Sequence, residues 1–253
     1  MIILNELTKK FGELTAVDRL NLTVSSGELF GFVGPNGAGK TTTLRMMAGV
    51  LKPTSGRIII DNKDLAENPL ECKKIIGFIP DNPFLYEKLT GRETLHFIAG
   101  IYKLPQDGLE KRIEHLFELF EIDSWRDELI ESYSHGMKQR LVMASTLIHQ
   151  PKVIIVDEPM VGLDPKATKM VKGIFRSLCQ RGITIFMSTH TLQIAEEMCD
   201  RIGIINQGKL IALGTMKELR EMSGLPAKEL EAVFFRLTGE ENDIRIPRIL
   251  ETY

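Results

Sequence analysis

The hydrophobic positions change their period along the chain, and each change predicts a different element. Ile2 to Thr8 and Ala16 to Val24 are short alternating or apolar runs separated by Phe11-Gly12, as expected of strands in an antiparallel edge sheet. Glu28 to Val33 (ELFGFV) reads as a short buried strand and Thr42 to Val50 as a helix. Pro53-Thr54-Ser55-Gly56 is a turn, with further strands at Arg57 to Ile60 and Ile75 to Ile79. Pro80-Asp81-Asn82-Pro83 then breaks the pattern. Beyond it Leu95, Ile98, Ile101 and Tyr102 recur at helical spacing, and Leu109, Ile113, Leu116, Phe117 and Phe120 repeat that period. Residues 84–150 are therefore expected to be a helical insertion between two strands. Phe84, Leu85 and Tyr86 stand at its entrance, as core or as an exposed contact patch.

The second half returns to alternating strands and helices. Ser134 is a good N-cap for a helix with Leu141, Ala144, Leu147 and Ile148 on one face. Val153 to Val156 is an apolar strand that ends in Asp157-Glu158-Pro159. Asp164 caps the next helix with Pro165 at its first position; Val171, Ile174, Phe175 and Leu178 form the inner stripe, and Gly182 ends it. The strand Ile183 to Met187 delivers Ser188-Thr189-His190. Strands Ile202 to Asn206 and Lys209 to Leu213 flank a Gln-Gly turn, and Thr215 with Glu218 makes a capping box. Beyond Pro226 a helix with Leu230, Val233, Phe234 and Leu237 inward precedes an acidic tail, Gly239 to Asp243.

Candidate chemistry centres on GPNGAGKTT, comprising Gly34, Pro35, Asn36, Gly37, Ala38, Gly39, Lys40, Thr41 and Thr42, which satisfies G-x-x-x-x-G-K-[ST]. The glycines let the backbone curl so that N–H groups point at phosphate oxygens, and a helix starts with its positive end toward the same anion. Lys40 would reach the β- and γ-phosphates, and the Thr41 hydroxyl is a hard oxygen for Mg²⁺. Asp157 and Glu158 are adjacent carboxylates at the end of a buried strand, costly without a cation or polar partners. Beside a phosphate loop, Asp157 suits the metal through its water shell, and Glu158, pointing the other way, suits a base for water attacking the γ-phosphate. His190 is read as structural or catalytic; its place after a strand expected beside the Asp157 strand favours the site. The free N–H groups and hydroxyl at Ser134 form a second potential phosphate site, although capping alone explains that residue. Phe11 is read as core or as a ring offered to a flat ligand such as a purine base.

Composition narrows the classes. The 253 residues, 43% of them apolar, suffice for a large core, and the net charge of −2 without a basic run argues against a nucleic-acid partner. Cys72, Cys179 and Cys199 form no close pair and are expected to be buried thiols in a reducing compartment. The sequence shows no export signal and no apolar run long enough to span a membrane.

Taken in order, Phe11-Gly12, GPNGAGKTT, YSHGMKQR, VIIVDEP, GLDP and STH resemble the nucleotide-binding subunit of an ATP-binding cassette transporter over nearly the whole chain. The resemblance implies an α/β fold. Its P-loop NTPase core of mostly parallel sheet (residues 1–83 and 151–225) carries an N-terminal antiparallel β-subdomain. An inserted helical subdomain (84–150) and a C-terminal helix and tail (226–253) complete it. It implies ATP and Mg²⁺ as ligands, with Phe11 on the adenine and His190 on the γ-phosphate. A second nucleotide-binding subunit, expected to be another copy, would place Ser134 and Gly136 over the phosphate loop, with Asp164 communicating across the interface. An integral-membrane subunit would dock on the helical insertion and the loop Asp81 to Glu87, placing the protein on the cytoplasmic face of the membrane without inserting into it. Three positions depart from the family pattern. Asp81 stands where a glutamine is usual, and His135 and Met137 replace a glycine and a glutamine. YSHGMKQRL and the closing AVFFRLTG are similar to the bacterial branch that exports antibiotics, lipids or polymers. A regulatory cassette with weak hydrolysis and a soluble cassette ATPase unconnected with transport are the alternatives.

Overall fold

Alternation in the first residues is realised as an antiparallel pair, β1 (Ile2–Phe11) and β2 (Leu14–Val24), in a computed structural model that describes residues 1–82, 84–225 and 229–239. The expected break at Pro83, the boundary at Pro226 and the acidic tail beyond Gly239 lie outside the described residues. Strand β4 (Ser55–Ile60) pairs with the other side of β1, and β5 (Lys63–Asp64) follows it, so the antiparallel sheet runs β2-β1-β4-β5. β1 reaches Phe11 itself, which places that ring at a strand end.

The second sheet runs β10-β9-β3-β8-β7-β6. It comprises β3 (Leu29–Val33), β6 (Ile76–Ile79), β7 (Val153–Asp157), β8 (Thr184–Thr189), β9 (Arg201–Asn206) and β10 (Lys209–Gly214). All of its neighbouring strands are parallel except the β9–β10 pair. A parallel sheet covered on both faces needs apolar side chains at consecutive positions, which explains VIIV in β7. Ile154 and Val156 face a cluster with Ile185 and Met187, whereas Val153 and Ile155 face a cluster with Phe30, Phe186 and Leu44.

That parity positions the chemistry. α1 (Lys40–Met47) lies on the Ile155 face through Leu44, Met46 and Met47. Continued alternation turns Asp157 toward α1 and Glu158 away from it. The helix begins at Lys40, two residues before the expected start, because Gly39 in the left-handed region serves as its N-cap. A short helix unforeseen in the sequence, α2 (Pro69–Ile75), precedes β6.

Between the neighbouring strands β6 and β7 run α3 (Gly91–Ile101), α4 (Leu109–Leu119) and α5 (His135–Leu147). One apolar cluster extends from Leu95, Ile113 and Phe117 through Leu141 and Ala144 to the β7 face. Thr90 opens α3 with a capping box to Glu93, two reciprocal bonds that fix its first turn. Ile101 does not join the core; it is exposed at the end of α3, beside Tyr102, whose ring stacks on His149. α6 (Pro165–Gln180) buries Val171, Ile174 and Phe175 as its stripe predicts. An unforeseen helix, α7 (Leu192–Met198), joins the two expected ones, α8 (Met216–Ser223), opened by the Thr215–Glu218 capping box, and α9 (Leu230–Thr238), and the three pack against β9 and β10 around Ala195, Leu219, Val233 and Phe234. Cys72 and Cys179 are buried, but Cys199 is only partly so, with its Sγ packed against Gly31. Among the described residues no helix is long and apolar enough to cross a membrane.

Candidate functional site

The phosphate loop follows directly from β3, and its glycines have different physical reasons. Gly37 and Gly39 occupy the left-handed region at φ 81° and 107°. Gly34 has no such φ, contrary to the expectation that all three curl the chain. Instead, a side chain there would stand 2.2 Å from the carbonyl oxygen of Ile205, so close approach of β9 demands glycine. Ala38 turns inward, and its N–H bonds back to the Pro35 carbonyl at 3.2 Å. Lys40 is 7% exposed and its Nζ donates to the carbonyls of Gly34 (2.7 Å) and Pro35 (3.1 Å). Burial lowers its pKa, while Glu158 and Asp157 act in the opposite direction. The ammonium is thus tethered to its own loop, within reach of an anion that could replace the carbonyls.

A cleft of about 560 Å³ opens above this loop. Asn36, Gly37, Gly39, Lys40, Thr41 and Thr42 form its floor, and Asp157, Glu158, His190 and Asp81 its far wall. Phe11 stands at the rim with Leu14 and Ala16. Its ring is 49% exposed and lies 5.0 Å from the Lys9 ammonium, so the core alternative does not hold. Leu14, Ala16 and Val161 also line the cleft without having been foreseen. The hairpin that carries Phe11 could have suggested the first two, but nothing in the sequence singles out Val161.

Both carboxylates stand at the end of β7 and are held by residues at the end of the neighbouring β8. Asp157 is 2% exposed; its Oδ2 accepts from the Thr41 hydroxyl at 2.7 Å, and its Oδ1 accepts from the Ser188 hydroxyl. The β7–β8 register pairs Asp157 with Ser188, which explains that second donor. Glu158 has φ 49°, an uncommon conformation for a residue with a side chain. Its N–H donates to the Ser188 carbonyl, its Oε2 accepts from Thr189, and its Oε1 meets the backbone N–H and Nδ1 of His190 at 2.8 Å each. Ser188 and Thr189 were visible in the sequence as the delivery of His190, but their holding role depends on register.

Asp81 is exposed on the same wall, and its Oδ2 accepts from the Asn82 side chain at 3.4 Å. Among the described residues no three His, Cys, Asp or Glu side chains converge as a metal cage. The Thr41 hydroxyl and Asp157 carboxylate are instead a hard oxygen pair, suited to a cation that keeps water and phosphate as its other ligands.

Ser134, Gly136 and Asp164 lie outside the cleft. Ser134 caps α5 by accepting from the Met137 N–H at 3.3 Å, and Asp164 caps α6 by accepting from Ala167 at 2.8 Å. Both are exposed. Met137 packs against the helical part of the core, which gives an apolar residue a place where the usual pattern has an amide.

The ABC transporter family profile matches residues 17–161. A probable multidrug ABC transporter ATP-binding protein of Escherichia coli, YbhF, is 38% identical over 92% of this chain; the chain spans only 40% of that relative's length. The bacitracin transport ATP-binding protein BcrA of Bacillus licheniformis is 42% identical over 81% of this chain and 67% of its own. A solved ATP-binding subunit of an ABC transporter superposes with a TM-score of 0.89 at 31% identity, covering 94% of this chain and 99% of that one. A dimeric post-hydrolysis ATP-binding cassette holding ADP and Pi superposes at 0.78 with 28% identity, covering 85% of this chain and 99% of that one. The chain belongs to the ABC transporter family.

Proposed function

We propose that the chain hydrolyses ATP to drive a membrane exporter, in a head-to-tail pair of two such subunits. The observation that carries this reading is the division of the site. Lys40, Thr41, Asp157, Glu158 and His190 border one cleft, whereas Ser134 and Gly136, a ready anion site at the start of α5, lie outside it. A second copy turned head to tail brings its Ser134 and Gly136 to the open side of the phosphates. ATP then joins two surfaces that neither copy joins alone, and loss of the γ-phosphate releases them.

Within this reading the phosphate-loop N–H groups and Lys40 hold the β- and γ-phosphates, and the Phe11 ring stacks on the base. Thr41, Asp157 and Asp81 are the residues that would hold Mg²⁺, which supplies charge neutralisation on the phosphate oxygens when bound. Glu158 takes the proton of the attacking water, and His190 orients Glu158 and contacts the γ-phosphate. Asp164, beside the interface, communicates between the two sites.

Residues 84–150 act as a helical unit attached to the ATP-binding core (1–83 and 151–225), with 226–253 as a C-terminal appendage. Phe84 is 84% exposed and forms an edge-to-face series with Tyr86 and Phe97, an apolar patch beside Asp81 that suits docking of an integral-membrane subunit. Docking there places the protein on the inner face of the cell membrane. An export role is supported by the multidrug and bacitracin transport relatives.

The test is Glu158→Gln. Turnover of Mg²⁺-ATP should fall by about two orders of magnitude or more, the size of a general-base contribution, and ATP should now stabilise a dimer measurable by sedimentation. Unchanged turnover would sink the assignment of the base. Negligible turnover by the native protein, with ATP binding intact, would favour a regulatory cassette.

A further inference from the structure

The four residues from Val161 to Asp164, in the turn after Glu158, have separate addresses in the fold. Val161 donates its N–H to the Glu158 carbonyl at 3.2 Å and lines the nucleotide cleft. Leu163 closes the turn onto Met160 at 3.3 Å, and Asp164 caps α6. Gly162, between them, lies against the start of α5. A side chain built on Gly162 would stand 2.3 Å from Cδ2 and 2.7 Å from Nε2 of His135, so the imidazole fills the space beside this glycine. A side chain on Gly136 would stand 3.3 Å from the Gly162 carbonyl oxygen. Two successive residues of α5 therefore grip one residue of the turn. Gly162 is also left-handed at φ 76°, so both its conformation and its crowding exclude a side chain.

We propose that His135 is a positioning residue: its ring locks the start of α5 to the turn after Glu158, so that one subunit's own cleft sets the geometry of the Ser134 and Gly136 it offers to the second copy. The inference rests on the head-to-tail pair proposed above. The ring is exposed and does not line the nucleotide cleft, so its influence runs through Gly162. A glycine at 135 would leave the space beside Gly162 open, and the turn and helix start could shift independently. A planar ring without titratable nitrogens would preserve the lock, because the contact depends on shape.

The experiment measures ATP turnover against ATP concentration for the full chain, together with binding of a fluorescent ATP analogue to the isolated subunit. His135→Gly should lower kcat about tenfold, a size typical of coupling between residues in contact, and bring the Hill coefficient toward unity with analogue affinity unchanged. His135→Phe should keep kcat within about twofold of native, as shape-conserving replacements do. Gly162→Ala should reduce turnover strongly in the native background and much less in the His135→Gly background. An unchanged kcat and Hill coefficient in His135→Gly, a loss of analogue affinity instead, or strict additivity with Gly162→Ala would each overturn the inference. Should His135→Gly be silent while Glu158→Gln abolishes turnover, only this inference fails. A fully active Glu158→Gln would instead remove the reading beneath it.

Discussion

Glu158 Oε1 accepts from the backbone N–H of His190 and faces its Nδ1, each at 2.8 Å, so one oxygen is gripped by two atoms of a single residue. Thr189 holds the other oxygen, and the backbone of Glu158 sits in the left-handed region. The Glu158 carboxylate is oriented from β8, an arrangement in which local backbone strain is balanced by several hydrogen bonds. Removing the ring leaves the main-chain donor in place. His190→Ala should therefore cost turnover by about two orders of magnitude while ATP affinity changes by less than about fivefold. His190→Gln, which restores a polar side chain, should recover part of the loss. Steady-state turnover and equilibrium nucleotide binding, measured side by side, decide it.

Phe11 offers an exposed face at the rim of the cleft. Truncation to alanine should weaken ATP binding by about five- to tenfold, corresponding to an aromatic contact of about 1 kcal/mol. Phe11→Tyr should bind like the native protein. Equal affinity in Phe11→Ala, measured by titration calorimetry, would exclude stacking at this ring.

Asp81 adds a carboxylate to the wall that already holds Asp157 and Glu158. With Asp81→Asn, half-saturation by Mg²⁺ should require about three- to tenfold more metal, since a neutral amide oxygen binds the cation more weakly than a carboxylate. An unchanged Mg²⁺ dependence of turnover would place Asp81 outside the metal's environment.

Gly34 and Gly37 should respond differently to alanine. Gly34→Ala sets a methyl group against the Ile205 carbonyl, which must move, so a loss of about 2 kcal/mol in urea unfolding is expected. Gly37 has open space around it, and Gly37→Ala pays only for its φ of 81°, about 1 kcal/mol. Equal losses would refute the distinction.

His149 stacks on Tyr102 at 3.9 Å, and its Nε2 is 3.1 Å from the Ile76 carbonyl. Burial lowers its pKa below the ordinary value of 6.5, although the Ile76 carbonyl acts in the opposite direction. The unfolded chain then binds a proton that the folded chain resists, so stability falls as pH drops below 6.5 and levels off beneath the depressed folded value. Thermal unfolding followed downward from neutral pH should show this loss, and His149→Phe should flatten that part of the profile.

The strands, the phosphate loop and the caps at Ser134, Asp164 and Thr215 were legible in the sequence, because period and capping depend on neighbours a few residues away. The strand parity even predicted that Asp157 and Glu158 diverge. The order of the motifs carried the family. Only the tertiary structure decided that β7 lies in register with β8, so that Ser188 secures Asp157 and Thr189 with His190 secures Glu158. It also decided that Phe11 stands in the cleft, that Gly34 is required by a carbonyl of β9, and that His135 fills the space beside Gly162. Each of these joins residues far apart in the chain, and such contacts are selected by the packing of whole elements, which no local pattern encodes.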